Sequence, residues 1–531
     1  MNKNTYFGLR EKQKETFDIC LEKKIGIISD TCGSGKSRIE FELICDAISK
    51  NSKFIVLAAH RLDLIDQHLE NFIEYLENYH PELKNKYNQF EISSASRKSE
   101  KYGSIENSTH ISEIKNIIIS ATQPILITLC YYSLDRFYKS FAGSQYQVDL
   151  MICDEGHFGM SCEKGKSEKE KLKVSKYDCI KFCKSFLVFT ATPFKETMIN
   201  ENISVIHNYT YAEAVEDKIV LPFKANFLIA SNEYEYNEKS KLATIISAYT
   251  SLKNKYFLTS AKLLVCGSSL EENQLLFNSI LSNYKDEINK GNLAICKISS
   301  GKEIDNYIIP SCEWVDNSNI NLSENKSYKI NINDERDNKK QIFHRMKEWL
   351  KDIRHNIIII HCQMLGVGID IPNINGVVIL SNKESSDLFQ SIMRPCRIAE
   401  FDRNKSPENW LEKNFEIFIH SSEDSQKAIK NFIEQLQKIG GLSLLEALEL
   451  GNISGANGIS QIDTTAAKEI YDKIIKASRI EAECKIIFDI DDYKAGINKF
   501  LELSKKYPSQ ESCKLISEQY AKFITIKNSF Q

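Results

Sequence analysis

The sequence predicts an α/β protein built from two tandem parallel-sheet domains and a C-terminal helical segment. Three observations carry this. Short Ile- and Val-rich runs, apolar on both faces, recur along the first 420 residues. Such runs suit buried parallel strands, whereas half-exposed strands would alternate. They fall into two sets, and the strand pattern stops beyond residue 424. The boundaries read as 1–215, 216–424 and 425–531.

The first set comprises IGII (25–28), FIVLAA (54–59), ILITL (125–129), DLMIC (149–153) and FLVF (186–189). The second comprises KLLVCG (262–267), IIIIHC (357–362), GVVIL (376–380) and FEIFI (415–419). Helical patterns lie between them, as doubly wound units require. Residues 78–116 are polar and are expected to include an irregular loop. Residues 301–340 are rich in Asn, Asp, Ser and Lys and read as an exposed insertion before a helix near 338–352. In the tail, Ile429, Phe432, Ile433, Leu436 and Ile439 stand at helical spacing before Gly440.

Composition narrows the classes. With 69 basic and 72 acidic residues, the net charge of −3 excludes a globally basic coat for nucleic acid or membrane. A local basic groove stays open. The 15 cysteines are scattered, with no C-x-x-C pair, so a zinc framework is not expected. Buried thiols in a reducing, cytoplasmic setting fit better. The first residues carry no apolar leader, and no run approaches the roughly 20 apolar residues of a membrane span.

The most informative segment is IGIISDTCGSGKSRIEFELI (25–44). A strand enters the turn Cys32-Gly33-Ser34-Gly35-Lys36-Ser37, and a helix begins near Lys36. Glycines let backbone N–H groups approach phosphate oxygens, and the helix N-terminus adds partial positive charge. Lys36 would reach the β/γ-phosphates and Ser37 would hold Mg²⁺. Asp30 stands where the strict G-x-x-x-x-G-K-[ST] pattern has its first Gly. Downstream, Asp154-Glu155 ends an apolar strand, where ligand crevices of open α/β sheets lie. Asp154 there can orient Mg²⁺, and Glu155 can polarise an attacking water.

Further segments join these in a familiar order. Asp154-Glu155-Gly156-His157 and Thr190-Ala191-Thr192-Pro193 follow the phosphate loop. LLVCGSSLEENQLL (263–276), Leu365 to Pro372 (LGVGIDIP) and Gln390 to Arg397 (QSIMRPCR) follow in turn. The chain over roughly residues 8–420 resembles superfamily-two helicases and translocases, with a DExH-like second motif. Leu9-Arg10-Glu11-Lys12-Gln13 and the junction 209–223 resemble the motor subunits of restriction enzymes, the type III R-subunit-like helicases. Gly156, Met393, Cys32 and Asp30 depart from the usual residues, but none removes a charge or ion-binding group that hydrolysis needs.

The resemblance implies two RecA-like lobes with ATP between them. It implies adenine-side contacts from Arg10 and Gln13, and phosphate contacts from Cys32, Gly33, Ser34, Gly35, Lys36 and Ser37. Mg²⁺ would be held by Ser37 and Asp154, with Glu155 at the water. The second lobe would supply Gly368, Asp370 and Gln390, and Arg394 and Arg397 as arginine fingers. Nucleic acid, DNA in preference to RNA, would meet His60 and Arg61 and, after the third strand, Thr128. His157, Thr190 and Thr192 would couple nucleotide state to movement. The basic run 164–176 reads either as a phosphate-backbone contact or as a solvated face.

Two functional classes follow. The first is an ATP-dependent helicase or translocase. The second is a nucleotide-gated binding or recruitment subunit without processive unwinding, with the C-terminal segment meeting a protein partner.

Overall fold

The structure is a computed structural model. It describes residues 8–60, 62–93, 98–99, 103–156, 174–191, 203–230, 238–256, 258–267, 269–298, 302–304, 307–309, 312–317, 342, 345–361, 373–380, 393–422, 451–453, 476, 480, 483–484, 487 and 492–528. The chain divides into two compact units, Met1–Ile219 and Val220–Gln531.

The first unit runs α1 (Glu11–Lys23), β1 (Ile25–Asp30), α2 (Lys36–Ser49), β2 (Phe54–Ala59), α3 (Leu62–Tyr79), β3 (Asn88–Ile92) and β4 (Glu106–Asn107). It continues through α4 (Ile111–Ser120), β5 (Ile125–Cys130), α5 (Leu134–Phe141), β6 (Leu150–Cys153), β7 (Phe186–Thr190), β8 (Val205–Tyr209) and α6 (Tyr211–Glu216). Its sheet has eight strands in the order β8-β1-β7-β6-β2-β5-β3-β4. Every ladder is parallel. The sheet is apolar on both faces, with one core cluster on each. Ile28, Leu57 and Ile152 belong to the cluster that includes Ile44 and Phe72, and Ile27, Val56 and Met151 to the one that includes Phe137. This accounts for the continuous apolar runs.

The second unit contains β9 (Phe223–Ala230), α7 (Glu238–Lys255), β10 (Lys262–Cys266), α8 (Leu270–Asn283), β11 (Leu293–Ile298), β12 (Cys312–Val315), β13 (Asn356–His361) and β14 (Gly376–Ile379). It ends with β15 (Phe415–Ser422), β16 (Gly451–Ile453), α9 (Tyr493–Lys506) and α10 (Gln510–Asn528). Its sheet order is β12-β11-β13-β10-β14-β15-β9-β16. Only the β11–β12 ladder is antiparallel. Cluster residues Phe500, Leu503, Ile516 and Phe523 pack α9 on α10. A side chain at Gly496 would stand 2.4 Å from the Phe523 ring, so glycine lets this pair approach closely.

Each run expected as a strand is one. The polar stretch 78–116 also carries β3, β4 and α4. β3 starts with an exposed Asn88 and only Phe90, Glu91 and Ile92 are buried, so it lacks a continuous apolar signature. A three-residue strand, β16, also stands inside the segment expected to be helical. The helix expected around Ile429–Ile439 lies outside the described residues.

The second unit has a titratable group that ties its stability to pH. Glu412 is buried and accepts hydrogen bonds from Thr259 Oγ1 (2.9 Å) and Asn375 Nδ2 (3.0 Å). Burial, with Asp402 nearby, raises its carboxyl from 4.5 to about 7, against those hydrogen bonds and Lys262. Its folded pKa lies above the unfolded one. Its stabilising contribution is therefore complete below 4.5 and lost as pH rises through about 7. The loss is on the order of 3 kcal/mol. His420, lowered to about 4 by burial, acts oppositely and loses stability as pH falls. Comparison with Glu412→Gln isolates the first effect. The thermal midpoint of wild type should fall relative to that variant between about pH 5 and about pH 8. Parallel curves would rule this assignment out.

Candidate functional site

Three of the expected motifs meet at neighbouring strand ends. β1, β7 and β6 are consecutive in the sheet. Their carboxyl ends carry the loop 31–35, Thr190 and Asp154 respectively. Ser29 stands in register with Thr190. The Gly156 N–H donates to Phe189 O at 2.8 Å, which ties the acidic pair to β7.

The loop is shaped by its glycines. Gly33 and Gly35 have φ of 79° and 86°. A side chain at Gly35 would meet Gln13 Nε2 at 2.3 Å, so both conformation and space demand glycine there. α2 begins at Lys36 with no side-chain cap, leaving its first N–H groups for an anion. Lys36 Nζ donates to Asp30 O (2.8 Å) and Thr31 O (3.1 Å). Thr31 Oγ1 and Ser34 Oγ are buried without hydrogen-bond partners. Ser37 follows Lys36 in the first turn of α2 and Cys32 is half-buried in the loop. An ammonium, an uncapped helix start and two unsatisfied hydroxyls suit a polyphosphate.

Arg10 and Gln13 sit on this loop, as the entry motif implies. Gln13 Nε2 donates to Ser34 O and Gly35 O, both at 3.1 Å. Arg10 Nη2 also donates to Ser34 O, and the Arg10 N–H donates to Gln13 Oε1 at 3.0 Å. With Thr16, Tyr209 and Asp217 they line a cleft of about 290 Å³. Asp30, in the place of the usual glycine, is buried and its Oδ1 lies 2.8 Å from His207 Nδ1 on β8. Burial opposes charge on His207, but the Asp30 bond outweighs it and raises its pKa. The departure at residue 30 is thus matched by a histidine.

Asp154 is buried and hydrogen-bonded. Its N–H donates to Ala58 O at 2.9 Å, its carbonyl accepts from Tyr131 Oη, and its Oδ2 lies 2.7 Å from His68 Nε2. Burial opposes its ionisation, but the bond and charge of His68, with Lys36, hold it below the ordinary aspartate range. Burial likewise opposes charge on His68, yet Asp154, Glu40 and Glu155 raise it to about 9. Glu40 is buried on α2, and burial with the neighbouring Asp154 charge pushes its carboxyl well above the ordinary value. Glu155 takes φ 50°, a left-handed conformation that costs a non-glycine residue on the order of 1–3 kcal/mol.

Sequence reading missed Glu40, His68 and Lys176. Lys176 closes the basic run read as a backbone contact or solvated face. It is fully buried, donates to Gly156 O at 2.6 Å, and lies over the Tyr177 ring at 4.6 Å. Thr128 needs correction as well. It lies inside β5, in register with Leu57 and Glu91, and is 2% exposed. The strand extends to Cys130, two residues beyond it, so Thr128 lies within the third strand and not after it. His60 follows β2, half-buried, with its ring 6.2 Å from that of Tyr132.

In the second unit Arg397 is half-buried and pairs its backbone with Val220, and Arg394 opens a short 3₁₀ turn. Arg61, His157, Thr192, Gly368, Asp370 and Gln390, and the Arg394 side chain, lie outside the described residues. Among the described residues no helix is long and apolar enough to cross a membrane. No disulfide joins the described cysteines.

Residues 6–195 match the family described as "Type III restriction enzyme, res subunit". No curated protein matches the chain. Among solved structures it is similar to the ATP-dependent type ISP restriction-modification enzyme LlaBIII bound to DNA. That match has a TM-score of 0.60 at 14% identity, over 95% of this chain and 36% of that one. A nuclease-deletion mutant of the type ISP enzyme LlaGI with a DNA substrate mimic gives 0.54 at 13%, over 94% and 34%. The DEAD-box helicase Mss116 bound to ssRNA and UDP-BeF gives 0.51 at 15%, over 98% and 87%. The chain therefore spans about a third of the two restriction enzymes. At these identities the likeness is one of fold, that of RecA-like helicases. Residues 6–195 thus resemble the res subunit of type III restriction enzymes, and the chain shares the fold of RecA-like helicases.

Proposed function

We propose that this chain is a Mg²⁺-dependent ATPase that moves along or unwinds DNA, in the cytoplasm. The observation that carries the reading is that Lys36 and Ser37 follow β1 and Asp154 and Glu155 follow β6, with only β7 between, while Arg10 and Gln13 are seated on the loop. Lys36 would hold the β/γ-phosphates, and Ser37 and Asp154 would hold the ion, which neutralises charge developing on the phosphates. Glu155 would orient the attacking water and accept its proton. Arg394 and Arg397 are the candidates for stabilising the transferred phosphoryl charge.

DNA is favoured over RNA by the restriction-enzyme family match and by two similar structures, one bound to DNA and one to a DNA substrate mimic. The test is ATP turnover with and without single-stranded DNA, duplex DNA and RNA, followed by strand displacement on forked duplexes. Turnover stimulated most by DNA is expected. A chain that hydrolyses no nucleotide under any of these conditions is not a motor.

The net charge of −3 confines DNA contact to a local track. Few phosphates would be neutralised, and the affinity should fall by less than about 10³ between about 50 and about 200 mM salt. Fluorescence anisotropy across a salt series measures this slope. A steeper loss would mean a more extensive basic surface.

A further inference from the structure

Glu40, His68 and Asp154 form a buried cluster that neither the phosphate loop nor the acidic pair requires. One ligand-type atom from each lies within 4.8 Å of the others. They come from three elements. Glu40 sits four residues after Lys36 on α2, His68 is in the middle of α3, and Asp154 follows β6. His68 is 7% exposed and Glu40 is 0% exposed. The imidazole is held on one side by the edge of Phe41, at 6.1 Å and 85°. Its Nε2 lies 2.7 Å from Asp154 Oδ2. Its Nδ1 lies 3.9 Å from Glu40 Oε2, too far for a hydrogen bond.

We propose that His68 is a positioning residue for the divalent ion: it holds Oδ2 of Asp154 and so fixes the carboxylate that would hold the ion. Glu40 faces the imidazole from α2, so the helix that follows the phosphate loop and the Asp154 that follows β6 meet at one histidine. A ligand supported from behind in this way loses little freedom when the ion binds, and removing such support typically costs 10–100-fold in metal affinity or activity. The alternative role is direct ligation of an ion by the three side chains. The 2.7 Å contact argues against it, because that Oδ2 and that Nε2 already bind each other.

The inference rests on the Mg-ATP reading above, and the experiment separates the two. The Mg²⁺ concentration giving half-maximal ATP turnover is measured for the full chain, His68→Ala, His68→Gln and Glu40→Gln. Circular dichroism and thermal midpoints verify folding. His68→Ala should raise that concentration about 10–100-fold, with little change in the KM for ATP at saturating Mg²⁺. His68→Gln keeps an N–H donor near the Nε2 position and should return it to within about threefold of wild type, and Glu40→Gln should lie between. If His68→Ala unfolds the chain, the comparison of His68→Gln with Glu40→Gln and wild type still decides, since a support role requires the former to remain near wild type.

An unshifted Mg²⁺ dependence in a folded His68→Ala chain that hydrolyses ATP overturns this inference and leaves the motor reading intact. Mn²⁺ is the control for direct ligation, because it accepts imidazole more readily than Mg²⁺ does. A large gain with Mn²⁺ in wild type that His68→Ala abolishes would make His68 a ligand and overturn the positioning role. If wild type hydrolyses nothing, the same shift is read from the Mg²⁺ dependence of binding a fluorescent ADP analogue. A wild type that binds no nucleotide overturns both.

Discussion

Replacing Lys36 with alanine is expected to reduce ATP turnover by about 10³-fold or more, measured as phosphate release at saturating Mg-ATP. The ammonium is half-buried at the start of α2, bound to the carbonyls of Asp30 and Thr31. It is therefore already placed in the loop before a phosphate arrives, which is what makes such a donor effective in a transition state. Alanine removes the positive charge that faces the β/γ-phosphates and leaves the two carbonyls without their donor. Nucleotide affinity and turnover should fall together. The fold should survive, because the Lys36 side chain belongs to neither core cluster. A folded Lys36→Ala chain turning over within about tenfold of wild type would sink the assignment of this loop as the ATP site.

Glu155→Gln should separate binding from chemistry. The amide keeps the size of the carboxylate but cannot accept a proton from water, and losing a general base typically costs 10²–10⁴-fold. Backbone strain is the same before and after, because glutamine is no better suited than glutamate to φ 50°. Stability should be nearly unchanged. Single-turnover hydrolysis is expected to fall about 10³-fold while a fluorescent ATP analogue binds with wild-type affinity. Equal losses in binding and hydrolysis would instead give Glu155 a part in holding the nucleotide. The contrast with Lys36→Ala is the informative feature, since one variant should lose both and the other only the chemical step.

Local chemistry was readable from residue order wherever the determinants are close in sequence. The phosphate loop is such a case. Gly33 and Gly35 have the positive φ that the turn needs, and the helix starts at Lys36, where the pattern places it. The acidic pair is another, because an apolar run ending in Asp-Glu marks a strand end facing the ligand side of an α/β sheet. β3 was not legible. Its first residues are exposed, so only three positions show burial, and pairing with β5 rather than its own pattern makes it a strand. Thr128 was placed after β5 instead of within it for a related reason. A hydroxyl near a run's end looks exposed until register shows the strand continuing past it.

The central strands of both sheets, the phosphate loop and the strand-end carboxylates were thus already set by the order of residues, because apolar runs, glycine conformations and helix starts act over a few residues. Only the folded chain decided what stands behind those groups. His68 and Asp154 are 86 residues apart, and His207 and Asp30 are 177 apart. Nothing in the residue order marks Glu40 or Lys176 as buried, yet both are. A buried charge is tolerable only when its partner arrives from elsewhere in the chain. That depends on sheet order and helix docking, which no local pattern of residues encodes.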